Sequence, residues 1–471
     1  MDFITELSEI LDHNGLLTGK DAVPYGQEWT GKYTCQPLAV ARPRNREDVA
    51  AIVKLANVHG VSIVPLSGRT GLVGGGAAEG ALILSLERMN QIREIRPAAR
   101  IAVVEPGVIL SALHTAAKDH QLTFPMTFGA KDSAMIGGLL STNAGGSNVL
   151  RYGNTRALVL GLEAVLPNGD ILDLMNELHK DNSGYDLKDL LIGAEGTLGI
   201  ITAAVVKLVP QPKAYATAFL GLNDLSDALD LLNTLQSRTS NAVEAYEFMT
   251  PYYMTLHAKL FPEDRLPFPE QYPVQILVEV GASSDKDATP LADGSLPIVS
   301  TLEDVLADLL EQGRLSDAMV AQNDGQRASL WAIREHAAEL AFHKGPVVDS
   351  DISVPVDQVA TFMALYEDRI KALDPDSETL VVCHLGDGNI HHTMWPTRDD
   401  AQLMDDVRSL VEDIVADLRG SFSAEHGIGL SKLNSMTRRK APVAVNMMRQ
   451  IKLALDPNNI MNPGKVIPPA D

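Results

Sequence analysis

Two short stretches near the C-terminal end of the 471-residue chain carry residue types that bind metals and move protons. The first, Cys383–His391, holds two histidines on either side of a Gly-Asp-Gly turn, and the second contains the adjacent pair Glu425 and His426. Neutral imidazole and carboxylate are ordinary ligands of zinc and similar divalent ions. Together the two stretches predict a metal site with a histidine that can transfer a proton.

The spacing of the histidines leaves two pairings open. His384 and His391 are seven positions apart, and on one regular strand an odd separation sends side chains to opposite faces. They converge only if the glycines of 386–388 bend the backbone, whereas His392 has the parity of a straight strand. A further alternative is that these histidines are hydrogen-bonded polar residues beside a turn.

Glycine-rich segments upstream predict a site for a large anionic ligand. Residues 65–76 form either a nest of backbone N–H groups suited to a pyrophosphate or an ordinary flexible loop. They contain neither the Gly-Lys-Ser/Thr of a Walker A motif nor the glycine spacing of a Rossmann fingerprint. Two further small-residue segments, 136–146 and 192–201, are expected as loops beside strands. The three could line one groove for a dinucleotide that lies across two subdomains.

Alternating helix and strand patterns surround these segments. We expect a short helix within 1–19 that ends near Gly15, and helices over 46–58, 109–120, 224–237, 300–314, 326–343 and 400–419. We expect strands over 61–65, 81–85, 101–105, 158–166 and 273–281, and a hairpin turn at 167–170 that leads into a strand from 171 to 173. A linker is expected over 209–212 and an exposed loop over 283–297.

Composition limits the class of protein. The net charge of −22 argues against nucleic-acid or anionic-membrane binding, which require basic surface. Only Cys35 and Cys383 are cysteines, so a disulfide framework is excluded and a reducing compartment fits. No apolar run of about 18 residues predicts a membrane span, and the acidic start Met1–Leu7 has the character of neither a secretory signal nor a transit peptide. We therefore expect a cytoplasmic protein of two or three domains.

The three glycine segments, together with 150–153 and Asn182–Leu187, resemble the FAD-binding domain of the vanillyl-alcohol-oxidase/p-cresol-methylhydroxylase superfamily. Within it, nearly the whole chain is most similar to the FAD-linked D-2-hydroxyacid dehydrogenases of the 2-hydroxyglutarate and D-lactate types. The resemblance implies an α+β protein with a two-subdomain FAD-binding domain of the p-cresol-methylhydroxylase type, an α/β cap domain for substrate, and a C-terminal segment that returns to the FAD domain. The implied bounds are 1–211 for the FAD domain (subdomains at about 37–110 and 121–211), 212–430 for the cap and 431–471 for the C-terminal segment.

The resemblance also implies which residues hold FAD. Some members attach FAD through a histidine of the first glycine loop, and because 65–76 contain no histidine, non-covalent FAD is expected. The matching FAD contacts are Ser67, Gly68, Thr70, Gly71, Gly74, Gly75, Gly137, Gly138, Thr142, Asn143, Gly145, Gly146, Glu195, Gly196 and Ile201.

The same resemblance implies metal-assisted oxidation of a small-molecule 2-hydroxy acid. It favours His384, His391 and Glu425 as ligands of a divalent metal, expected to be zinc, which chelates the 2-hydroxyl and carboxylate of a D-2-hydroxy acid. His426 is then the general base, although a hydrogen-bonded turn residue is the alternative for it. The hydride passes from C2 to flavin N5, and the electrons leave to an acceptor such as an electron-transfer flavoprotein or a quinone.

Substrate recognition is where the chain departs from its relatives. Arg334 matches an arginine that holds a substrate carboxylate, with a surface ion pair as the alternative, and Asn389 is expected to orient substrate. Relatives carry a lysine fifteen residues after this arginine, and hydroxyglutarate-type members often have a threonine four residues after it; this chain has Asp349 and Ala338. Asp349 would repel an anionic group or neutralise Arg334, with Lys344 as one compensating cation. A monoanionic substrate is therefore also compatible with the sequence.

Two other functions are compatible with the same residues. One is a metal-independent FAD oxidase of an alcohol or sugar, in which His384 is dispensable. The other is a non-catalytic flavin-binding subunit, which the Asp349 change would favour and the intact set of metal and base residues argues against. No nucleic-acid partner is expected, and a homodimer is compatible with the chain.

Overall fold

The computed structural model describes residues 1–29 and 31–469. Its strands are β1 (Leu16–Leu17), β2 (Ala39–Ala41), β3 (Ile63–Leu66), β4 (Leu82–Ser85), β5 (Ile92–Arg96), β6 (Ile101–Val104), β7 (Leu122–Thr123), β8 (Val159–Val165), β9 (Ile171–Leu174), β10 (Ile200–Lys207), β11 (Val209–Pro210), β12 (Ala214–Leu222), β13 (Val243–Met249), β14 (Val274–Ala282), β15 (Asp317–Val320), β16 (Val348–Ser353), β17 (Glu378–His384) and β18 (Asn389–Trp395).

Its α-helices are α1 (Phe3–Ile10), α2 (Arg46–His59), α3 (Leu110–Lys118), α4 (Ile136–Thr142), α5 (Val149–Tyr152), α6 (Leu187–Leu191), α7 (Ala228–Arg238), α8 (Pro251–Leu260), α9 (Asp285–Ala288), α10 (Pro297–Glu311), α11 (Asp324–Glu335), α12 (Ala337–Ala341), α13 (Val359–Leu373), α14 (Ala401–Asp417), α15 (Leu433–Arg439) and α16 (Pro442–Leu455). Within the described part of the chain, none of these helices combines the length and the apolar character that a bilayer crossing requires.

The chain forms two compact units. Unit 1 contains residues 1–145, 153–210 and 425–471, and unit 2 contains residues 146–152 and 211–424. The bounds expected from the sequence instead placed 146–152 in the FAD-binding domain and 425–430 in the cap.

A four-stranded sheet with the order β1-β2-β4-β3 forms one core of unit 1. β2, β3 and β4 are parallel, and their apolar side chains pack with those of α1 and α2. α2 begins where expected, because the Asn45 side chain accepts a hydrogen bond of 2.8 Å from the Asp48 N–H. It ends at Gly60, whose φ of 63° is the left-handed conformation common after helices.

Five antiparallel strands form the second sheet of unit 1, in the order β5-β6-β10-β8-β9. The turn at 167–170 joins β8 to β9, which confirms the predicted hairpin. The segment 192–201 leads directly into β10.

The segment 136–146 is not the loop that the sequence predicted, because its first seven residues form α4. Ile136, Leu139 and Leu140 are buried at helical spacing, a signal that the neighbouring glycines obscured. Gly137 allows the helix to approach Pro106, since a Cβ at Gly137 would lie 2.6 Å from the Pro106 Cβ.

The C-terminal residues of unit 1 pack onto its first sheet and its glycine loops. The Asn462 N–H donates to the Ile63 carbonyl at 2.8 Å. The Asn462 side-chain amide donates to the carbonyls of Gly75 and Glu195 at 3.1 and 2.7 Å. Lys452 on α16 donates to the Thr197 carbonyl at 2.8 Å. These bonds hold the loops before β10 and after β3 in fixed positions.

Unit 2 is built on a seven-stranded antiparallel sheet with the order β15-β12-β14-β13-β17-β18-β16. α7, α10, α13 and α14 cover one face, and α8, α11 and α12 pack on the other. The short segment 146–152 joins this unit through Arg151 and Tyr152, which donate to the buried Glu244 carboxylate at 2.7 and 2.8 Å.

The single helix expected over 326–343 is two helices, α11 and α12, which meet at His336. Leu330, Ile333 and Leu340 are buried in one apolar cluster. The apolar spacing therefore continues across the break and could not reveal it.

His392 on β18 faces α13 on the covered side of the unit 2 sheet. Its ring centroid lies 4.1 Å from that of Tyr366 and 6.1 Å from that of Phe362. The side chain is fully buried, and neither ring nitrogen has a hydrogen-bond partner among the described residues. Burial lowers the pKa of His392 to about 4.

We expect His392→Phe to remove a pH-dependent loss of stability. An unfolded histidine titrates near about 6.5, whereas the pKa of His392 in the folded protein is about 4. Between these values the unfolded state binds more protons, so the free energy of unfolding falls as the pH falls. Urea unfolding should show a loss of about 2 kcal/mol between about pH 7.5 and pH 5 that His392→Phe lacks. Equal losses in the two proteins would contradict this.

Candidate active site

The two histidines of the motif lie on the two strands of one hairpin, because β17 ends at His384 and β18 begins at Asn389. The register pairs His384 with Asn389 and Val382 with His391, which directs both histidine side chains to the same face of the sheet. Their ring centroids are 5.3 Å apart. The condition stated for their convergence, a bend of the backbone at 386–388, is therefore met by the turn of this hairpin.

The hairpin also separates His391 from His392. Because His392 projects to the opposite, helix-covered face, it does not share a face with His384, and this alternative ligand is excluded. The turn depends on Gly388, whose φ is 81°. A Cβ at Gly388 would lie 2.2 Å from the Val354 carbonyl oxygen, so only glycine fits.

A buried carboxylate, Glu247 on β13, fixes the orientation of His384. The Glu247 side chain is 1% exposed, and its Oε1 lies 2.8 Å from His384 Nδ1. A hydrogen on Nδ1 leaves Nε2 with its lone pair, the arrangement that carboxylate–histidine pairs use to present a metal ligand. Burial raises the pKa of Glu247, but the charges of His384 and Arg334 outweigh it, and the pKa is lowered.

Arg334 on α11 shares the same carboxylate. Its Nε donates to Glu247 Oε2 at 2.7 Å, and its Nη2 lies 3.5 Å from His384 Nε2. The guanidinium is therefore held beside the histidine pair by its Nε edge. The alternative of a surface ion pair holds only in part, because Arg334 does pair with Glu247 but its side chain is 11% exposed.

A second buried carboxylate, Asp351 on β16, lies behind His391. The register pairs Asp351 with His391, and Asp351 Oδ1 is 4.0 Å from His391 Nδ1. The Asn389 amide nitrogen donates to Asp351 Oδ1 at 3.0 Å and to the Ile352 carbonyl at 2.9 Å. The Asn389 amide group thus holds Asp351 and the β16 backbone in place.

Sequence reasoning missed Glu247 and Asp351. Each strand also carries a second acid, Glu244 on β13 and Asp349 on β16. The sequence does not show that these acids are buried, because the groups that compensate a buried carboxylate come from other strands and helices.

Asp349 lies on the same face as His391, two positions from Asp351 on β16. Within the described part of the chain, its side chain bonds to Thr393 alone, which donates at 3.0 Å. The alternative in which Asp349 neutralises Arg334 is therefore wrong.

The other two positions that bear on substrate charge lie apart from this network. Lys344 forms an ion pair with Glu378 and lies 4.9 Å from the centroid of the Trp395 ring. Ala338 is an exposed residue of α12.

Glu425 and His426 follow Ala424 directly along the chain and belong to unit 1. In unit 2, the Ala424 N–H lies 3.3 Å from both the Asp351 carbonyl and Asp351 Oδ2.

The loop after β3 presents the donors that a pyrophosphate requires. The backbone N–H groups of residues 68–73 donate to no described residue. Gly68 packs against the Ser133 carbonyl, where a Cβ would lie 2.5 Å from the oxygen. A Cβ at Gly71 would meet nothing within 4 Å. A run of unpaired N–H groups in an open glycine loop fits the phosphates of FAD.

The predicted FAD residues of the second segment lie at and after the end of α4. Asn143 ends the helix with a φ of 52°, and its Oδ1 accepts from the Arg156 N–H at 2.9 Å. Thr142 donates to the Gly138 carbonyl at 3.0 Å, and a Cβ at Gly138 would come no closer than 3.8 Å to Ser67. Gly145 is the last residue of its stretch of unit 1, whereas Gly146 belongs to unit 2.

Two further predicted FAD residues, Gly196 and Ile201, pack against other parts of the protein. Gly196 has a φ of 72°, and a Cβ there would lie 2.5 Å from Pro65. Ile201 is a buried residue of β10.

Glu195 directs its carboxylate to the protein backbone. It has a φ of 51°, and its two oxygens accept from the N–H groups of Ile428 and Gly429 at 2.7 and 2.8 Å. Burial raises the pKa of Glu195, against these hydrogen bonds. A Cβ at Gly427 would lie 2.8 Å from Glu195 Oε1, so the segment after His426 requires glycine there.

Comparisons with known proteins identify the family of this chain. An FAD-binding domain family matches residues 37–175, and the C-terminal domain family of FAD-linked oxidases matches residues 211–466. The chain is 36% identical to D-2-hydroxyglutarate dehydrogenase of Xanthomonas citri pv. viticola, over 95% of this chain and 92% of that protein. It is 36% identical to the mitochondrial D-2-hydroxyglutarate dehydrogenase of Rattus norvegicus, over 91% of this chain and 77% of that protein.

Solved structures show the fold. The crystal structure of p-cresol methylhydroxylase with bound substrate has a TM-score of 0.74 at 17% identity, and the match covers 98% of this chain and 96% of that one. The predicted fold class, an FAD-binding domain of the p-cresol-methylhydroxylase type with an α/β cap, is thereby confirmed, and FAD is the cofactor. The chain belongs to the FAD-linked D-2-hydroxyacid dehydrogenases and is an FAD-linked oxidoreductase.

Proposed function

We propose that the protein oxidises a D-2-hydroxy acid to the 2-oxo acid with non-covalent FAD and a divalent cation. The observation that carries the proposal is the shared buried carboxylate of Glu247, which orients His384 and anchors Arg334 on one sheet face. A metal-ligating imidazole and a carboxylate-binding guanidinium held side by side suit a substrate with a hydroxyl next to a carboxylate.

The residues present fit a cation. His384 Nε2, His391 and Glu425 are the proposed ligands, a set of two imidazoles and one carboxylate that leaves room for substrate oxygens. Glu247 and Asp351 lie behind the two imidazoles as orienting carboxylates. When bound, a divalent cation supplies Lewis-acid polarisation of the substrate hydroxyl and carboxylate oxygens.

The protein residues have distinct tasks in the proposed reaction. Arg334, with its Nε occupied by Glu247, offers its Nη groups to a substrate carboxylate. An imidazole nitrogen of His426 accepts the proton of the 2-hydroxyl as general base. Asn389 holds Asp351 and thereby the orientation of the substrate-facing strand. When bound, FAD would supply the flavin ring as the acceptor, at N5, of the hydride from C2. The proposed electron acceptor is an electron-transfer flavoprotein or a quinone rather than oxygen.

D-2-hydroxyglutarate is the first candidate substrate, because relatives that align over most of the chain carry that name. A monoanionic 2-hydroxy acid is the second candidate. The observation that favours it is Asp349, a carboxylate on the site-bearing face without a cationic partner among the described residues.

Anaerobic bleaching of the flavin tests the proposed reaction. D-2-hydroxyglutarate or D-lactate is expected to bleach the oxidised flavin, the L-acids are not, and EDTA is expected to abolish bleaching until metal is restored. His391→Ala should slow bleaching at least about 100-fold with FAD retained. His392→Phe, the adjacent position on the opposite face, is the matched control and should bleach at the wild-type rate. Undiminished bleaching by His391→Ala, or in EDTA, would instead support the metal-independent oxidase.

The role of Glu247 can be measured through the metal. Glu247→Gln is expected to weaken the cation affinity about 10–100-fold, because the amide no longer fixes the His384 tautomer. The measurement is the metal concentration that restores half of the bleaching rate after chelation. Asp357→Asn, which removes an exposed acid of the same unit, is the control and should leave that concentration unchanged. If folded Glu247→Gln binds the cation with wild-type affinity, Glu247 does not support metal binding by His384.

Asp349 is expected to set the preference between substrates of different charge. Replacing it by asparagine should raise kcat/KM for D-2-hydroxyglutarate about 10-fold relative to D-lactate, since roughly 1.4 kcal/mol of repulsion disappears. Asp349→Lys should raise the same kcat/KM ratio further, because it replaces the negative charge with a positive one. Asp357→Asn again serves as the charge-matched control. A selectivity ratio that is identical in wild type and Asp349→Asn would show that Asp349 does not contact the variable end of the substrate.

A further inference from the structure

Three metal-binding side chains also cluster where α8 and α11 end in unit 2. His257 lies on α8, Asp264 lies in the loop that follows it, and His336 is the residue directly after α11. His257 is fully buried, and the other two are half-buried. None of them takes part in the proposed reaction.

The three ligand atoms form a nearly equilateral triangle. His257 Nε2 is 3.2 Å from His336 Nδ1, and Asp264 Oδ2 is 3.3 and 3.4 Å from these two nitrogens. Ligands at about 2.0–2.1 Å from a tetrahedral zinc ion are about 3.3–3.4 Å apart. The triangle therefore has the dimensions of one face of a tetrahedral coordination shell.

Hydrogen bonding accounts poorly for this triangle. Charge-assisted N–H···O bonds are about 2.7–2.9 Å long, and the buried Asp264 Oδ2 has no hydrogen-bond partner among the described residues. All three edges, at 3.2, 3.3 and 3.4 Å, are longer than that range. A cation satisfies all three lone pairs at once.

We propose that His257, Asp264 and His336 bind a divalent transition-metal ion of the zinc type. Imidazole nitrogens favour such ions over magnesium and calcium, which prefer oxygen ligands alone. Three protein ligands leave one position for water, and the partial exposure of Asp264 and His336 gives water access to it.

The ion ties α8 to the C-terminal end of α11. Tyr253 on α8 already donates to the Ile333 carbonyl at 2.7 Å, so the two helices are bonded one turn earlier. His336 lies two residues beyond Arg334, and the ion therefore holds the helix end that carries this arginine. The three ligands share no residue with the His384–His391 group.

The test counts zinc ions in the FAD-loaded protein. In a His384→Ala/His391→Ala background, which removes the other proposed metal site, equilibrium dialysis and elemental analysis are expected to find one zinc ion per chain. Adding Asp264→Asn, which keeps the side-chain shape without the charged ligand, should lower zinc occupancy at least about 10-fold. His343→Ala, which removes another histidine of unit 2, is the control and should retain the ion.

A stability measurement on the same proteins guards against misfolded variants. Zinc is expected to raise the unfolding temperature of the background protein but not that of its Asp264→Asn derivative. His336→Asn should reproduce both losses. Equal zinc occupancy with and without Asp264→Asn, in folded protein, overturns the proposal. If the proposed site at His384 and His391 binds no metal, the protein without other substitutions should hold one zinc ion per chain instead of two. Loss of that one ion in the Asp264→Asn variant would still support the site at His257, Asp264 and His336.

Discussion

The buried carboxylate of Glu247 is the constraint on which the rest of the candidate site depends. An ionised carboxylate inside a sheet is costly unless both of its oxygens are paired, and here His384 takes one oxygen and Arg334 the other. Removing either partner leaves charge uncompensated, so β13, β17 and α11 are coupled through a single side chain. The metal-ligand candidate and the substrate-binding candidate therefore hold fixed positions relative to each other before any ligand binds.

Strand register is the second constraint, because it decides which histidine reaches the site. His391 and His392 are neighbours with opposite environments, one beside Asp351 and the other among aromatic rings. A slip of one residue would exchange them. The tight contact of Gly388 with the Val354 carbonyl prevents that slip by fixing the length of the turn. The turn contains none of the proposed catalytic residues, but its length thus determines which histidine of β18 lies on the face of the candidate site.

Much of the architecture could be predicted from local pattern, whereas the pairing of distant strands could not. The helix that begins after Asn45 and the hairpin at 167–170 follow from capping and turn residues, and both are confirmed. The break at His336 could not be predicted, because apolar spacing continues across it. Glu247 was missed for a different reason. Its meaning depends on a strand paired with β17 more than a hundred residues later, and no local pattern contains that information.

The two charges proposed to face substrate, Arg334 and Asp349, differ in how freely they can change during evolution. Arg334 shares Glu247 with His384, so replacing the arginine would also disturb the imidazole. Asp349 bonds only to Thr393 among the described residues, and this single hydrogen bond to a carboxylate is worth about 1.5–3 kcal/mol. Charge at position 349 can therefore change without moving the residues proposed to bind the metal. Because Arg334 and Asp349 lie on different elements, α11 and β16, a change of charge at position 349 leaves the hydrogen bonds of Glu247 to His384 and Arg334 in place.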